Sequence, residues 1–508
     1  MMRLEEFLEL SGEYNLIPLY DEIVGDTETP VTLYNRLGKE NDYSYLLESA
    51  GAGRYSFIGL FPEKVFKRTK KGILFLDSKG EGTELVQDRT NLIEFLKDYL
   101  KGLKTYQAEN LPPFSGGLVG YFAYEMIEEW EDLFHNEEGR KIQHGDLPTS
   151  ILVIAGVIIA IDHFTHTIKI ITNVKIDQGL TEEERIALYY QNQARIRKVI
   201  KSIKEGPYRL IEKGTEWSGQ SLEKPVSNTT KREFEAMVEQ AKEYIRAGDI
   251  FQIVLSQRFV IESALSPFQI YRALRIMNPS PYLFYLNFPE VKLIGSSPEV
   301  LVKIKDKRVI TRPLAGTRRR GNTRAEDIKL EEELKHDEKE RAEHIMLVDL
   351  GRNDLGRVCE IGSVEVTELM EVEYYSQVMH LVSQVEGNLR EGLSSLDVLK
   401  AVFPAGTVSG APKIRAMELI DQLEKEPRGV YAGAVGYIDF KGNLDTCIAI
   451  RTFVVKGNKT YIQVGAGIVV DSIPEREYEE TLNKARALFR ALEFIGRGDS
   501  DDLNYRQL

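Results

Sequence analysis

What most constrains the fold of this chain is a run of capped helices and short alternating strands in mixed order. Thr230 followed by Glu233 makes a capping box, in which hydroxyl and carboxylate satisfy the first free N–H groups of a helix. Phe234, Met237, Val238, Ala241 and Ile245 then recur at helical spacing until Gly248 stops them. Residues 251–260 follow at once and alternate as a strand, with Phe251, Ile253, Leu255 and Phe259 on one face and Gln252, Ser256 and Arg258 on the other. Earlier, residues 44–47 and 56–58 read as strands, 91–103 as an amphipathic helix and 181–204 as a charged helix. Hairpin-like strands in this mixed order predict an α+β fold rather than a doubly wound parallel sheet.

The division along the chain follows from where periodicity fails. Residues 206–229 collect Gly, Pro, Ser, Asn and charges and read as a linker. They separate an N-terminal lobe, 1–205, from a denser unit, 230–494; residues 495–508 form a polar, loose tail. With 42% apolar residues in 508 there is ample material for a core. Lys and Arg number 66 against 79 Asp and Glu, a net charge of −13, which argues against a duplex nucleic-acid binder but permits an anionic small molecule held by a few placed arginines. Two cysteines, Cys359 and Cys447, exclude a disulfide framework. The glutamates in residues 1–20 are wrong for a signal peptide, and the longest apolar run, 151–161, is too short to cross a membrane. A cytoplasmic protein without nucleic-acid or membrane partners is expected.

Several segments could carry chemistry. Residues 326–350 read as an acid-rich helix; most of its glutamates suit a solvated face, but Glu343 borders the apolar run Ile345-Met346-Leu347-Val348, where a carboxylate needs a partner or a metal. A second helix opens with a capping box, Ser472 and Glu475, and carries Glu480 and Lys484 at i,i+4 spacing. Two carboxylates from two helices suit Mg²⁺, whose remaining ligands are waters and an anionic substrate. The glycine-rich pieces Gly316-Thr317, residues 407–413 and Gly465-Ala466-Gly467 fail the spacing of a phosphate loop or dinucleotide fingerprint; each is either a tight turn or bare backbone approaching a ligand. Arg451, between apolar neighbours, is either half of a buried ion pair or a fork for a substrate carboxylate. His380, in an apolar strand-like run, is either a satisfied core residue or a catalyst. Neither cysteine has a nucleophile's setting, so ammonia drawn from glutamine would have to be released by another chain.

Taken in order, these segments resemble one family. Arg312-Pro313-Leu314-Ala315-Gly316-Thr317, Ala342-Glu343-His344 leading to Asp349-Leu350-Gly351-Arg352-Asn353-Asp354, residues 406–413, residues 444–451, Gly465-Ala466-Gly467 and residues 479–485 are similar to the motifs of chorismate-utilising enzymes. The resemblance is strong over 230–493 and weaker before it, where Leu46-Leu47-Glu48-Ser49 is recognisable. It implies four layers, α/β/β/α, with two large orthogonal antiparallel sheets. It also implies a lyase that turns chorismate and ammonia into anthranilate and pyruvate with Mg²⁺, the first committed step of tryptophan biosynthesis, beside a glutamine amidotransferase subunit.

By position, the resemblance makes Glu343 and Glu480 the metal ligands. Tyr431, Arg451, Gly316, Thr317, Gly465, Ala466, Gly467 and Lys484 become substrate contacts. Glu299 matches a general acid for the leaving 4-hydroxyl, a role that requires a raised pKa. His380, with Thr407 nearby, matches the residue of the pyruvate-releasing step. Relatives that make aminodeoxychorismate, the alternative product, carry a nucleophilic lysine at the position of Ala315, and relatives that add water carry a lysine base at that of Gln252. Neither residue here can play those parts. Glu48, Ser49, Pro281, Tyr282 and Leu283 resemble the two halves of a pocket for L-tryptophan as feedback inhibitor.

Overall fold

The computed structural model describes residues 2–50, 53–77, 84–87, 91–131, 147–206, 223–263, 265–375 and 378–496; residues 207–222 of the expected linker and 497–508 of the expected tail lie outside the described residues. The architecture is α+β, with the described strands joined into one antiparallel network. From one end, Gln252–Glu262 pairs with Lys459–Ile468, which continues through Thr452–Lys456, Val291–Ser297 and Tyr282–Phe288 to Ser44–Glu48. The network then passes through Tyr55–Thr69, Ser150–Asp162 and Gly117–Phe122 to Ala434–Asp439 and Leu444–Ile448. It ends through Val300–Lys305 and Arg308–Thr311 on Val378–Asn388, which also holds Leu314–Arg319 and Glu365–Tyr374. Strands from residues 1–205 are therefore interleaved with strands from 230–494: Leu47 lies opposite Phe284, and Gly120 opposite Gly436. Within the expected linker, Val226–Ser227 adds a short strand beside Phe259–Val260.

Helices cover this network. The Thr230–Glu233 capping box is closed in both directions and starts the helix Lys231–Arg246. Its buried Phe234, Val238 and Ala241 pack with Ile253, Leu255, Ala466 and Ile468. The C-terminal helix Pro474–Gly496 buries Ala485, Leu488, Ala491 and Leu492 against Ile270, Tyr271 and Leu274 of the helix Pro267–Met277. Three local expectations change. The acid-rich helix is two helices, Arg324–His336 and Glu338–Gly356, because Asp337 leaves helical conformation and its carboxylate caps the N–H groups of Lys339 and Glu340 at 3.0 and 3.1 Å. Ser472 and Glu475 do not close a box: Ser472 Oγ accepts from Val469 N–H, and Glu475 pairs with Lys231 across the helix layer. Finally, Gly465-Ala466-Gly467 is no turn but lies inside the strand Lys459–Ile468. Among the described residues no helix is long and apolar enough to cross a membrane.

Candidate functional site

The two ends of the strand network meet through side chains of the helices laid over them. Glu343, a turn and a half into Glu338–Gly356, accepts a hydrogen bond from Gln252 Nε2 at 3.0 Å on the strand Gln252–Glu262. Burial pushes the Glu343 carboxyl up, and the negative charges of Glu340 and Glu480 add to the rise. Glu477, one turn before Glu480, is likewise raised, by burial and then by Glu480. Four carboxylates from two helices thus share one electrostatic field, with Lys484 Nζ 2.8 Å from Glu480 Oε1. Among the described residues no three His, Cys, Asp or Glu side chains converge to hold a metal unaided. Crowded, partly desolvated carboxylates are nonetheless a donor set that Mg²⁺ suits, since it takes one or two from protein and the rest as water and substrate oxygen.

The glycines beside them explain themselves by strand alternation. Ala466 points into the core with Leu255 and Ala416, so Gly465 and Gly467 face the other way. A Cβ on Gly467 would come within 2.8 Å of Gln252 Nε2 and 4.0 Å of Glu343 Oε1; one on Gly465 would come within 2.7 Å of Tyr431 Oη. Lys484 Nζ donates to Gly465 O at 2.8 Å. The strand thus brings its backbone, without side chains, directly against Gln252, Tyr431 and Lys484.

Arg451 follows Leu444–Ile448 in the left-handed region, at φ 52°, while its carbonyl accepts from Ser296 N–H. Burial lowers its pKa, and among the described residues no carboxylate pairs with it; Tyr431 is the group that eases its charge. Of the two readings of the sequence, the ion pair is absent among the described residues. Tyr431 is buried, its hydroxyl pushed up to about 12, and it lies under the Arg428 guanidinium at 5.6 Å. Arg428 was not singled out in the sequence; it donates to Glu424, to Val408 O and to Val254 O, tying the Tyr431 ring to the Gln252 strand.

At the far end, Gly316 takes φ +72° in a bulge between Ala315 and Thr317, which places Thr317 opposite His380. His380 Nδ1 lies 3.1 Å from both Gly316 O and Thr317 Oγ1. Burial, then the charges of Arg451 and Lys484, lower its pKa to about 4. The ring is neutral at neutral pH, and a carbonyl partner puts the proton on Nδ1 and leaves Nε2 with its lone pair. Tyr375 packs edge-on against it at 5.4 Å. Burial pushes Glu299 up to about 8 against the opposing effects of Thr407, the Leu314 backbone and Lys484. Thr407 Oγ1 stands beside that carboxyl without closing a hydrogen bond of normal geometry. Lys484 and His380 join the sets: Lys484 is felt by Glu299, Glu477 and His380 alike, and His380 also feels Arg451.

The residues expected around tryptophan come together only in part. Glu48 lies opposite Leu283, and Ala50 N–H donates to Ser280 O, so the two segments are adjacent. Glu48 accepts from Tyr271 and, at 2.9 and 3.0 Å, from Arg275. Ser49 and Pro281 flank these strands, but Tyr282 turns to the other face and donates to Asp445 at 2.8 Å. The residues the sequence reading missed near Glu343 and Glu480 are Glu340 and Glu477; the signal was the spacing Glu-x-x-Glu repeated on both helices.

Residues 44–490 match the family described as chorismate binding enzyme. Anthranilate synthase component 1 of Aquifex aeolicus is 47% identical over 499 residues, covering 97% of this chain and 98% of that protein. Its counterpart from Acetivibrio thermocellus is 44% identical over the same shares. The crystal structure of anthranilate synthase component I from Streptococcus pneumoniae superposes with a TM-score of 0.73 at 38% identity, covering 92% of this chain and 98% of that one. MenF, the menaquinone-specific isochorismate synthase of Escherichia coli, shares the fold with a TM-score of 0.69 at 19% identity over 96% and 98% of the two chains.

Proposed function

This chain belongs to the chorismate binding enzymes, and from that premise we propose that it is the large subunit of an anthranilate synthase. It converts chorismate and ammonia to anthranilate and pyruvate, at the entry to tryptophan biosynthesis, with ammonia supplied by a glutamine amidotransferase subunit. The observation that carries this reading is Arg451, a half-buried residue whose desolvated guanidinium has no acid of its own among the described residues. Chorismate has two carboxylates. Arg451 and the Tyr431 hydroxyl suit the enolpyruvyl one, against the backbone of Gly316, Thr317, Gly465, Ala466 and Gly467. Glu343 and Glu480 would hold Mg²⁺ for the ring carboxylate. When bound, that ion neutralises the anion and favours negative charge building on the ring as the hydroxyl departs.

Glu299, neutral at pH 7, gives its proton to the 4-hydroxyl, which leaves as water as its C–O bond breaks. The ammonia lone pair forms a bond to ring carbon 2 as the ring double bonds shift. In the second step His380 Nε2 takes the proton from that carbon; the C–O bond to the enolpyruvyl group breaks, the ring becomes aromatic, and the enolate takes a proton to become pyruvate. Ala315, on the strand Leu314–Arg319, offers no nucleophile, and Gln252, whose amide is bonded to Glu343, offers no base for water, so direct addition of ammonia is the route left.

The purified chain given chorismate, Mg²⁺ and ammonium at mildly alkaline pH should produce anthranilate fluorescence that disappears with a chelator and in Glu343→Gln. Consumption of chorismate without fluorescence would indicate aminodeoxychorismate and overturn this reading. Tryptophan regulation, through Glu48, Ser49, Pro281, Leu283 and the backbone of Tyr282, is supported by the register that sets Glu48 opposite Leu283. Added tryptophan should inhibit turnover, and Glu48→Gln should weaken that inhibition; indifference of the wild-type chain would sink it.

A further inference from the structure

A cavity of about 40 Å³ lies against Glu299. Its wall runs from buried Glu299, Val402 and Pro313 to half-exposed Arg312, Leu350 and Gly351. His380, Arg451, Tyr431, Gly465 and Lys484 do not line it. Two polar atoms of lining residues, Thr407 Oγ1 and Arg312 Nε, are buried without a hydrogen-bond partner among the described residues. Buried donors and acceptors left so are costly, and a space this large with several polar neighbours is what an internal water occupies. Arg312 is fixed at its other end by Glu368 and Glu373, and Asp354, paired with Lys413 at 2.8 Å, completes the polar wall.

We propose that this cavity is an internal water site, held by Thr407 and Arg312, through which Glu299 recovers its proton from solvent after each turnover. The inference rests on the general-acid role given to Glu299 above. In the first step the C–O bond breaks, the Glu299 proton leaves in the water formed, and Glu299 becomes a carboxylate. The newly bonded nitrogen releases one proton to solvent, and the cavity water passes one proton to Glu299 while taking one from solvent, so the step is neutral overall. The charged and titratable groups around Glu299 fit this traffic. Lys484 steadies the transient carboxylate, Tyr375 feels its charge while its phenol donates to Glu373, Arg312 and Thr407 hold the water, and Asp354 is neutralised by Lys413. With the carboxyl's resting pKa at about 8, return of the proton is favourable at neutral pH.

Two substitutions of lining residues other than Glu299, Thr407 and Arg312 would fill the cavity: Ala405→Leu and, should that variant not fold, Leu350→Phe. With the enzyme in excess over chorismate, each protein begins with a protonated Glu299, so the single-turnover rate should stay within roughly twofold of wild type; steady-state kcat should fall by roughly tenfold. A crystal structure of the wild-type chain should show ordered water within about 3.2 Å of Thr407 Oγ1 and Arg312 Nε. Unchanged kcat in a variant whose structure shows the cavity filled would overturn the proposal, and would mean that the nitrogen's proton returns directly on the substrate side. A dry cavity in the wild-type structure would overturn it as well. Glu299→Gln separates the two levels: it should lose the single turnover itself, and if it does not, the general-acid reading fails first.

Discussion

Desolvation opposes the charge of both Glu299 and Arg451, and each makes a different prediction. The Glu299 carboxyl titrates at about 8 in the folded chain and in the ordinary range, about 4.3, when unfolded. Between those values the unfolded chain has released a proton that the folded chain keeps, so folded stability falls by about 1.4 kcal/mol per pH unit and levels off above pH 8. Glu299→Gln carries no such proton. Its melting temperature, followed by calorimetry from pH 5 to 9, should rise relative to wild type up to pH 8 and then hold a constant margin; a margin independent of pH would refute the raised pKa. Arg451, at a left-handed residue, has no ion-pair partner among the described residues. Arg451→Met should leave the melting temperature unchanged or higher, since it removes a desolvated cation, while the KM for chorismate rises by about 100-fold, roughly two charge-assisted hydrogen bonds. A large loss of stability with unchanged KM would make it a structural residue after all. The sequence could name both residues through their motifs, and for Arg451 it left an ion pair and a ligand fork open. Only the location of the acids in space bears on the ion pair: Glu480 meets Lys484 and Glu343 meets Gln252, and neither pairs with Arg451.

At the scale of elements, periodicity located the helices but not their joints. The run 326–350 has no proline or glycine to announce a break before Gly351; Asp337 makes it by capping, which a residue count cannot distinguish from one more surface acid. Asp337→Ala should cost about 1 kcal/mol of stability for the lost cap, measurable by denaturant unfolding. It should also weaken Mg²⁺ dependence, because Glu340 and Glu343 ride on the same first turns. The glycines at 465 and 467 were ambiguous for the opposite reason: a strand interior rarely holds two, and only the inward Ala466 shows that both face one way. Gly465→Ala sets a methyl against Leu255 O, 2.8 Å away, and Tyr431 Oη. The chain should still fold, with KM for chorismate raised at least tenfold; an unchanged KM would remove this backbone from the substrate's surroundings.

For the whole molecule, the expectation of an α+β fold with antiparallel sheets holds, while the pairing between its first and second halves was illegible, since no local pattern specifies that Leu47 meets Phe284. Because that pairing and the one between Gly120 and Gly436 cross the expected linker, a fragment of residues 223–496 should lack a cooperative unfolding transition and aggregate through its exposed strands, in contrast to the full chain. A soluble, cooperatively melting fragment would show that the C-terminal region stands alone. The same interleaving bears on how the protein is made. On a ribosome the strand Gly117–Phe122 emerges more than three hundred residues ahead of its partner Ala434–Asp439, a wait of about 15 to 60 seconds at ordinary elongation rates. Throughout it the nascent chain carries an open edge, so the yield of this protein in a cell is set as much by what shields that edge during synthesis as by the stability of the finished fold.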